Sequence, residues 1–516
     1  MTKIPLCYAH IMSQLVFCQR NYYNKFLVIL CVYNQEIKDM SKFSNYLKNL
    51  IESSGESIAF ISRKSNIERT SIHKALTDER VLPYASVQAL AQHFKLPLDE
   101  RQEFFRLYDI QLQGEEAYEN RQSVCDFLNS LSTIDFKMPA PPKVSTFPDS
   151  DQFIRGEYAI HSLIRSILIY ESSHNPNAQF QLFLPPRLNL TMELMELWLN
   201  NRTFSVNELL YFQASYHARP SVASHEDIKR LGAVIPLCLA SRGNYKPYAF
   251  TFTSQALMIY PLNHYIITPQ CLILIADDLS VAQVIKNEQL IFYYRDYFLS
   301  LLQSCELWVQ CSSNILDVLQ EYITGTGPDY LHILMSQPCP SRYITPDLIK
   351  KYMKTPDLPY DTMFQLVERH FSVLRDIQNN YLTIFTEQGL ADFVKSGVLQ
   401  DLPPTYVPPL ESSDIKLILT KLYNELENGT ITCLIVRPTI LHIPDYLSIY
   451  INSQTGLHMY TTNSFVFGAY ACDIHISDPS LCKAFSDFFL GLPGSPMVYP
   501  KEETLLLLRQ YILQLP

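Results

Sequence analysis

The chain has 516 residues, 47% of them hydrophobic and 18% charged, and a formal net charge of -10. That length admits about three domains and that composition excludes wholesale disorder, while the negative balance excludes a protein that coats nucleic acid or anionic membrane over its whole surface. Fourteen glycines is about half the usual share, neither GxGxxG nor GxxxxGK[ST] occurs, and both facts weigh against a nucleotide enzyme. The twelve cysteines include no CxxC pair, so reduced thiols in a cytoplasm are expected rather than a disulfide framework.

In chain order, residues 1–39 contain the apolar run FLVILCVY, far short of the about 20 residues that span a bilayer. No small-residue cleavage site follows it. The stretch is expected to be a leader or an upstream extension, with translation beginning at Met40. Codons for Gln35 and Glu36 can read CAG GAG, which places AGGAG where a bacterial ribosome-binding site would lie.

Residues 41–112 read as five short amphipathic helices. Phe43, Tyr46, Leu47, Leu50 and Ile51 recur at helical spacing until Gly55 breaks the pattern. A second helix is predicted from Ser57 to Ser65 and a third from Arg69 to Thr77, separated by Asn66, a residue that tolerates the left-handed region. A fourth starts near Ser86, with Val87, Leu90, Ala91 and Phe94 inward. A fifth starts at Asp99 as N-cap, with Phe104, Phe105, Leu107 and Tyr108 inward.

Within this run, Ile61, Ser62, Asn66, Ile67, Ile72 and Ala75 stand at the apolar, small, turn and apolar positions of the phage-repressor and Cro (XRE-type) helix-turn-helix family, which the segment resembles. The resemblance implies an all-α, lambda-repressor-like domain whose third helix lies in the major groove of double-stranded DNA. It departs from the family at Ser62, where Ala is usual, and at Ser65, where an apolar residue is usual. Carried over by position, it implies base reading by Arg69, Thr70, Ser71, His73 and Lys74, and phosphate contacts from Arg63, Lys64 and Arg80. Between Ser41 and Ile110, 10 basic residues face 9 acidic ones. Non-specific affinity should therefore be modest, and a homodimer on two half-sites is the expected compensation.

Residues 113–136 read as a polar linker helix with Tyr118, Val124, Phe127, Leu128 and Leu131 on one side, free to brace the helical domain or pair with its twin. Residues 137–150 hold four prolines and are taken as the domain boundary. Beyond them the pattern becomes mixed α/β. Helix-like EYAIHSLIRSILIYE precedes strand-like FQLFLPP, YAFTFT and CLILIADD, and helix-like NEQLIFYYRDYFLSLLQ follows. A comparable order returns in SDIKLILTKLYNELENG, TCLIVRPT, LSIYIN, GLHMYTT, FVFGAYACDIHIS and SLCKAFSDFFLGL. YYRDYFLSLL matches KAFSDFFLGL, and LIRSILIYE with QLFLPP matches LILTKLYNE with CLIVRPT. A duplicated module is therefore expected, with one copy at 151–311, a helical insert at 312–411 and a second copy at 412–516.

This arrangement also resembles the phospholipase D-like sensor domains that follow DNA-binding modules in some regulators. Their paired HxKxxxxD signature is missing, so the resemblance implies a catalytically dead domain. HExxH, GxSxG and metal-spaced clusters are missing too, and the His217 to His225 and His442 to His475 groups have no ligand spacing. The reading is of a multidomain, cytoplasmic, sequence-specific transcription regulator without enzymatic activity, cofactor, metal or membrane partner. Its α/β (α+β) C-terminal region is expected to sense a small-molecule or peptide effector. An adaptor whose five helices bind protein, and a DNA-targeted enzyme, are the alternatives.

Overall fold

The computed structural model describes residues 40–137, 140, 147–200, 203–213, 225–252, 262–312, 329–354, 359–377, 380–402, 404–461 and 472–516. The expected leader at 1–39, and with it the choice between Met1 and Met40, lies outside them. So does most of the proline-rich stretch, at 138–139 and 141–146. The chain divides into two compact units, Met1–Glu115 and Glu116–Pro516.

In the first unit α1 (Lys42–Ser54), α2 (Ile58–Ser65), α3 (Arg69–Leu76), α4 (Tyr84–His93) and α5 (Leu98–Gln113) follow one another in the predicted order. Ser41 and Ser57 cap the first two helices by accepting the N–H groups of Ser44 and Phe60. Asp99 is not a cap: α5 begins one residue earlier, so the carboxylate lies in the first turn, where it complements the helix dipole. Phe43, Leu47, Ile61, Ile72, Leu90 and Phe104 are at most 1% exposed and form the centre of the unit. Phe43 stacks on Phe104 with ring centroids 5.1 Å apart.

The predicted linker helix is α6 (Glu115–Ser132), and it belongs to the second unit's core. Asn120 and Arg121, which make it look polar, are buried: Asn120 donates to Asp487 at 2.8 Å and Arg121 to the Gly491 carbonyl at 3.1 Å. Phe127 packs edge-on to Phe485, with centroids 5.6 Å apart. The unit boundary accordingly falls at residues 115–116 and not in the proline-rich stretch.

The second unit contains two mixed sheets. The first has the order β1 (Gln152–Arg155), β7 (Val281–Ile285), β6 (Leu272–Ile275), β5 (His264–Ile267), β2 (Gln179–Phe183), β3 (Ser205–Gln213), β4 (Tyr245–Phe252), β8 (Glu306–Leu307). The second runs β9 (Gln310–Ser312), β15 (Cys472–Ile476), β14 (Gly456–Thr461), β13 (Ser448–Asn452), β10 (Leu331–Leu334), β11 (Tyr381–Thr386), β12 (Thr432–Val436). In each sheet three parallel strands joined by helical crossovers pair edge to edge with an antiparallel meander, and the earliest strand closes the far edge. Strand order and strand sense are therefore the same in both halves, apart from β8, which extends the first sheet beyond β4 and has no named counterpart beside β12 among the described residues.

The boundaries of the repeat differ from those expected. Residues 312–411 are not a helical insert, because they supply β10 and β11, two of the three parallel strands of the second sheet. The helices α10 (Glu288–Leu302) and α15 (Pro479–Gly491), which carry YYRDYFLSLL and KAFSDFFLGL, do hold equivalent places, each directly after its meander. The other sequence match does not: QLFLPP contributes β2, whose counterpart is β10, whereas CLIVRPT contributes β12, whose counterpart is β4.

Three apolar layers stabilise this unit. One central core joins the face of the first sheet carrying Phe180, Leu182 and Val206 to the face of the second carrying Ile384, Ile449 and Met459. Between them lie α6, α15 and the crossover helices α7 (Glu157–His174), α8 (Thr191–Leu199) and α9 (His225–Ser241). A small core joins the opposite face of the first sheet to α10. The opposite face of the second sheet is covered by α11 (Pro346–Tyr352), α12 (Tyr360–Asp376), α13 (Glu387–Ser396), α14 (Ser412–Asn428) and α16 (Lys501–Gln514).

Candidate functional site

In the first unit the turn between α2 and α3 is built around Asn66, at φ 55° and ψ 38°, the left-handed conformation that its side chain tolerates. The two serines that stand in unusual places satisfy their own hydroxyls. Ser62 donates to the Ile67 carbonyl at 2.6 Å and Ser65 to the Ile61 carbonyl at 2.7 Å, so neither leaves a buried polar group unpaired. Ile61, Ile67, Ile72 and Ala75 are buried at the crossing of α2 and α3.

That packing turns the other face of α3 to solvent. Arg69, Thr70, His73 and Lys74 are exposed, and Ser71 is half-buried. Arg63 and Lys64 at the end of α2, and Arg80 beyond α3, are exposed as well. Among the described residues, none of these five Arg and Lys side chains forms an ion pair. Arg63 donates to the Ala59 carbonyl at 3.3 Å, and Lys64 lies 5.9 Å from the centre of the Phe60 ring. The predicted residues thus share one small surface in the first unit.

Sequence reading passed over Asp78, which secures the far end of α3. At φ 56° it turns its carboxylate toward the Ser41 N–H at 2.5 Å, the Ser41 hydroxyl at 2.8 Å and the Gln111 amide at 2.6 Å. The Ser44 hydroxyl lies between this carboxylate and the Ala75 carbonyl. Burial raises the Asp78 pKa, but the hydrogen bonds from Ser44, Ser41 and Gln111 together outweigh it and hold the acid below its ordinary range. The signal was available in the left-handed tendency of Asp just after a helix.

In the second unit a cavity of about 160 Å³ lies between β10, β13, α11, α12 and the loop at 397–411. Its wall is apolar for the most part, from Leu331, Ile333, Leu348, Phe371 and Leu399. Asp401 interrupts it. This carboxyl is 8% exposed and accepts hydrogen bonds from the Ser448 hydroxyl at 2.7 Å and from the Tyr450 hydroxyl. Burial pushes its pKa up, against the lowering effect of those two hydroxyls. Nothing in the sequence pointed to Asp401, an acid in a proline-containing loop.

The histidines give a different picture from the spacing considered above. His217 lies outside the described residues. His458 and His475 stack with centroids 4.6 Å apart, and His458 Nδ1 is 3.0 Å from Asp473. His458 and Asp473 are 0% and 1% exposed, so the pair braces β14 against β15 rather than facing a substrate. Among the described residues, no group of three or more His, Cys, Asp or Glu side chains is placed to hold a metal ion. Nor is any helix among them long and apolar enough to cross a membrane.

No family model matches the chain, and no curated protein matches it. Solved structures give remote similarities. TrmBL2, an archaeal chromatin protein described as having a novel mode of DNA binding, is 10% identical, with 49% of this chain and 88% of that one covered at a TM-score of 0.21. A phosphatidylserine synthase from Haemophilus influenzae Rd KW20 is 10% identical over 77% of this chain and 98% of its own, with a TM-score of 0.22. A polyphosphate kinase from Porphyromonas gingivalis is 10% identical over 73% and 57%, also at 0.22. At such scores the similarities carry no argument about fold, DNA or catalysis.

Proposed function

We propose that the chain is a cytoplasmic, sequence-specific transcription regulator of the XRE type, without enzymatic activity, which reads an operator through α3 and senses a ligand through its second unit. The observation that supports DNA reading most directly is the free face of α3. Arg69, Thr70, His73 and Lys74 are exposed there on a helix whose other side is fixed by Ile72 and Ala75. Arg forks onto guanine, Thr meets a base edge or a thymine methyl, and Lys takes guanine or phosphate. Arg63, Lys64 and Arg80 flank this face and suit phosphates. With 10 basic against 9 acidic residues between Ser41 and Ile110, one copy binds weakly, and a homodimer on two half-sites supplies the affinity.

Genome-wide occupancy of the wild type beside an Arg69→Ala, Lys74→Ala double variant tests the reading. Discrete palindromic peaks lost in the variant are the expected result, with operator affinity falling by about 1–3 kcal/mol per base contact. Peaks that persist unchanged in the variant would remove α3 from the role given to it here.

The same near-balance of charge favours one second reading, an adaptor whose helices bind protein. Salt separates the two: a DNA complex weakens steeply as ions are added, in proportion to the phosphates contacted, whereas an adaptor complex held by apolar contacts changes little.

A further inference from the structure

The cavity beside Asp401 has a composition that selects among ligands. A cavity of about 150 Å³ lined by aliphatic and aromatic side chains accepts a benzene-sized molecule, and this one has about 160 Å³. Tyr406, Tyr450, Tyr460 and Phe371 bring aromatic rings to its wall. Asp401 reaches the wall as a buried carboxyl held by two hydroxyl donors and, at 4.0 Å, by the Cys339 thiol, and no lysine, arginine or histidine pairs with it among the described residues. A carboxylate offers about four acceptor positions, of which Ser448, Tyr450 and, weakly, Cys339 occupy one each. Buried charge without a counter-ion is costly, and a cation arriving from outside relieves that cost.

The other ionisable groups of the wall do not offset the carboxyl. Desolvation lowers the pKa of His370 to about 4, which keeps the imidazole neutral. Lys354 is exposed at the edge, with its ammonium free to stay in water. An anionic ligand would meet the Asp401 carboxyl without a buried cation to pair with. A neutral apolar ligand would fill the space and leave the acid as it is.

We propose that this cavity binds a small amphiphilic amine, with an apolar body of about six to nine carbons in the aliphatic and aromatic part and one ammonium group paired with Asp401. This names the class of effector for the sensing role proposed for the second unit and rests on that role for its biological purpose. Binding itself is measured without DNA.

The test titrates the full-length protein with phenethylamine, phenethyl alcohol and phenylacetate in a calorimeter. The amine should bind at least about tenfold more tightly than the alcohol, a margin of one hydrogen-bonded charge pair, and phenylacetate should bind least. Asp401→Asn should erase the preference of amine over alcohol. Leu399→Trp, which fills the cavity from its wall, should weaken both by at least about tenfold while thermal unfolding stays cooperative.

Equal binding of amine and alcohol by the wild type, an amine preference that survives Asp401→Asn, or no binding of any of the three would overturn the proposal. If Asp401→Asn does not fold, the wild-type series and Leu399→Trp decide. A failure here leaves operator binding and its dependence on Arg69 and Lys74 intact, and loss of operator binding in that double variant leaves amine binding intact, so the two readings fail separately.

Discussion

The two halves of the second unit share the order of seven strands and differ in where their crossovers lie. In the first half α8 and α9 are packed in the central core between the two sheets, and the crossover from β2 to β3 is short, spanning 184–204. Its apolar groups close on one another: Trp198 stacks on Phe204 with centroids 4.6 Å apart, and Phe180 meets Phe204 at 5.2 Å. In the second half the corresponding crossovers lie on the outer side of their sheet. The one from β10 to β11 spans 335–380 and holds both α11 and α12, and the next includes the loop that carries Asp401. A crossover confined between two sheets must be compact, whereas one facing solvent can lengthen without disturbing the core. The cavity lies under the lengthened pair.

The largest effects should come from removing what holds each half closed. Phe180→Ala in the first half removes a ring that is 0% exposed and should cost about 3–5 kcal/mol in chemical denaturation. In the second half the corresponding weight falls on a polar clasp. Arg342, 7% exposed, donates to Glu425 at 3.0 Å and to the carbonyls of Leu374 and Ile377, joining the start of the crossover to α12 and α14. Arg342→Ala takes the guanidinium from the carbonyls of Leu374 and Ile377 and leaves Glu425 with the Tyr343 hydroxyl at 2.9 Å, and should also cost about 3–5 kcal/mol. The comparison would break if Arg342→Ala were nearly silent, because the outer crossovers would then be held by apolar packing alone, like the inner ones.

How much of this contrast could be read from residues follows the strength of local periodicity. The five helices of the first unit were legible because their apolar positions recur at helical spacing and Asn66 marks a turn. The helices α10 and α15 were matched through an Asp followed by two aromatics. The strands β10 and β11 were hidden within an expected helical insert, since LHIL and YLTIFT are short apolar runs that carry no alternation. Strands buried on both faces lose the pattern that reveals a half-exposed strand. The helix α6 was read as a linker because Asn120 and Arg121 look like solvent-facing residues, and only their tertiary partners account for their burial. Of the candidate sites, the α3 surface is local in sequence and was found, whereas the Asp401 cavity draws on residues from 331 to 460 and left no mark in any one stretch.

Two buried titratable groups, one from each half, should respond to pH in opposite directions. Glu208 on β3 is pushed up to about 7, chiefly by burial, with the Tyr245 hydroxyl at 2.6 Å acting in the opposite sense. The unfolded chain ionises this acid near 4.5. Between those values the folded protein holds a proton that the unfolded chain has lost, so stability falls as pH rises from about 4.5 to 7. His332 on β10 is lowered to about 4 by desolvation, against 6.5 in the unfolded chain. Its contribution is complete above about 6.5 and is lost as pH falls toward 4. Each slope should amount to about 3 kcal/mol at most. Glu208→Gln should flatten only the first and His332→Phe only the second, as read from denaturant midpoints across the pH range. A single substitution that flattened both would mean that the two groups titrate as one.

The smallest effect tests most directly whether one half is filled and the other hollow. Leu182, 0% exposed on β2, and Leu399, 3% exposed in the cavity wall, are both enlarged by substitution to phenylalanine. In a close-packed region the added atoms force neighbours off their rotamers, so Leu182→Phe should cost about 1–3 kcal/mol. At Leu399 the same atoms enter about 160 Å³ of open space and gain contacts without displacing any. Leu399→Phe should therefore be neutral or stabilising by about 0.5–1 kcal/mol. The sign of the difference matters more than its size, because both substitutions add the same group and both sites are buried. Equal costs at the two positions would mean that the outer crossovers close over the cavity in solution, and the contrast between compact and lengthened crossovers would then describe chain length without a consequence for packing.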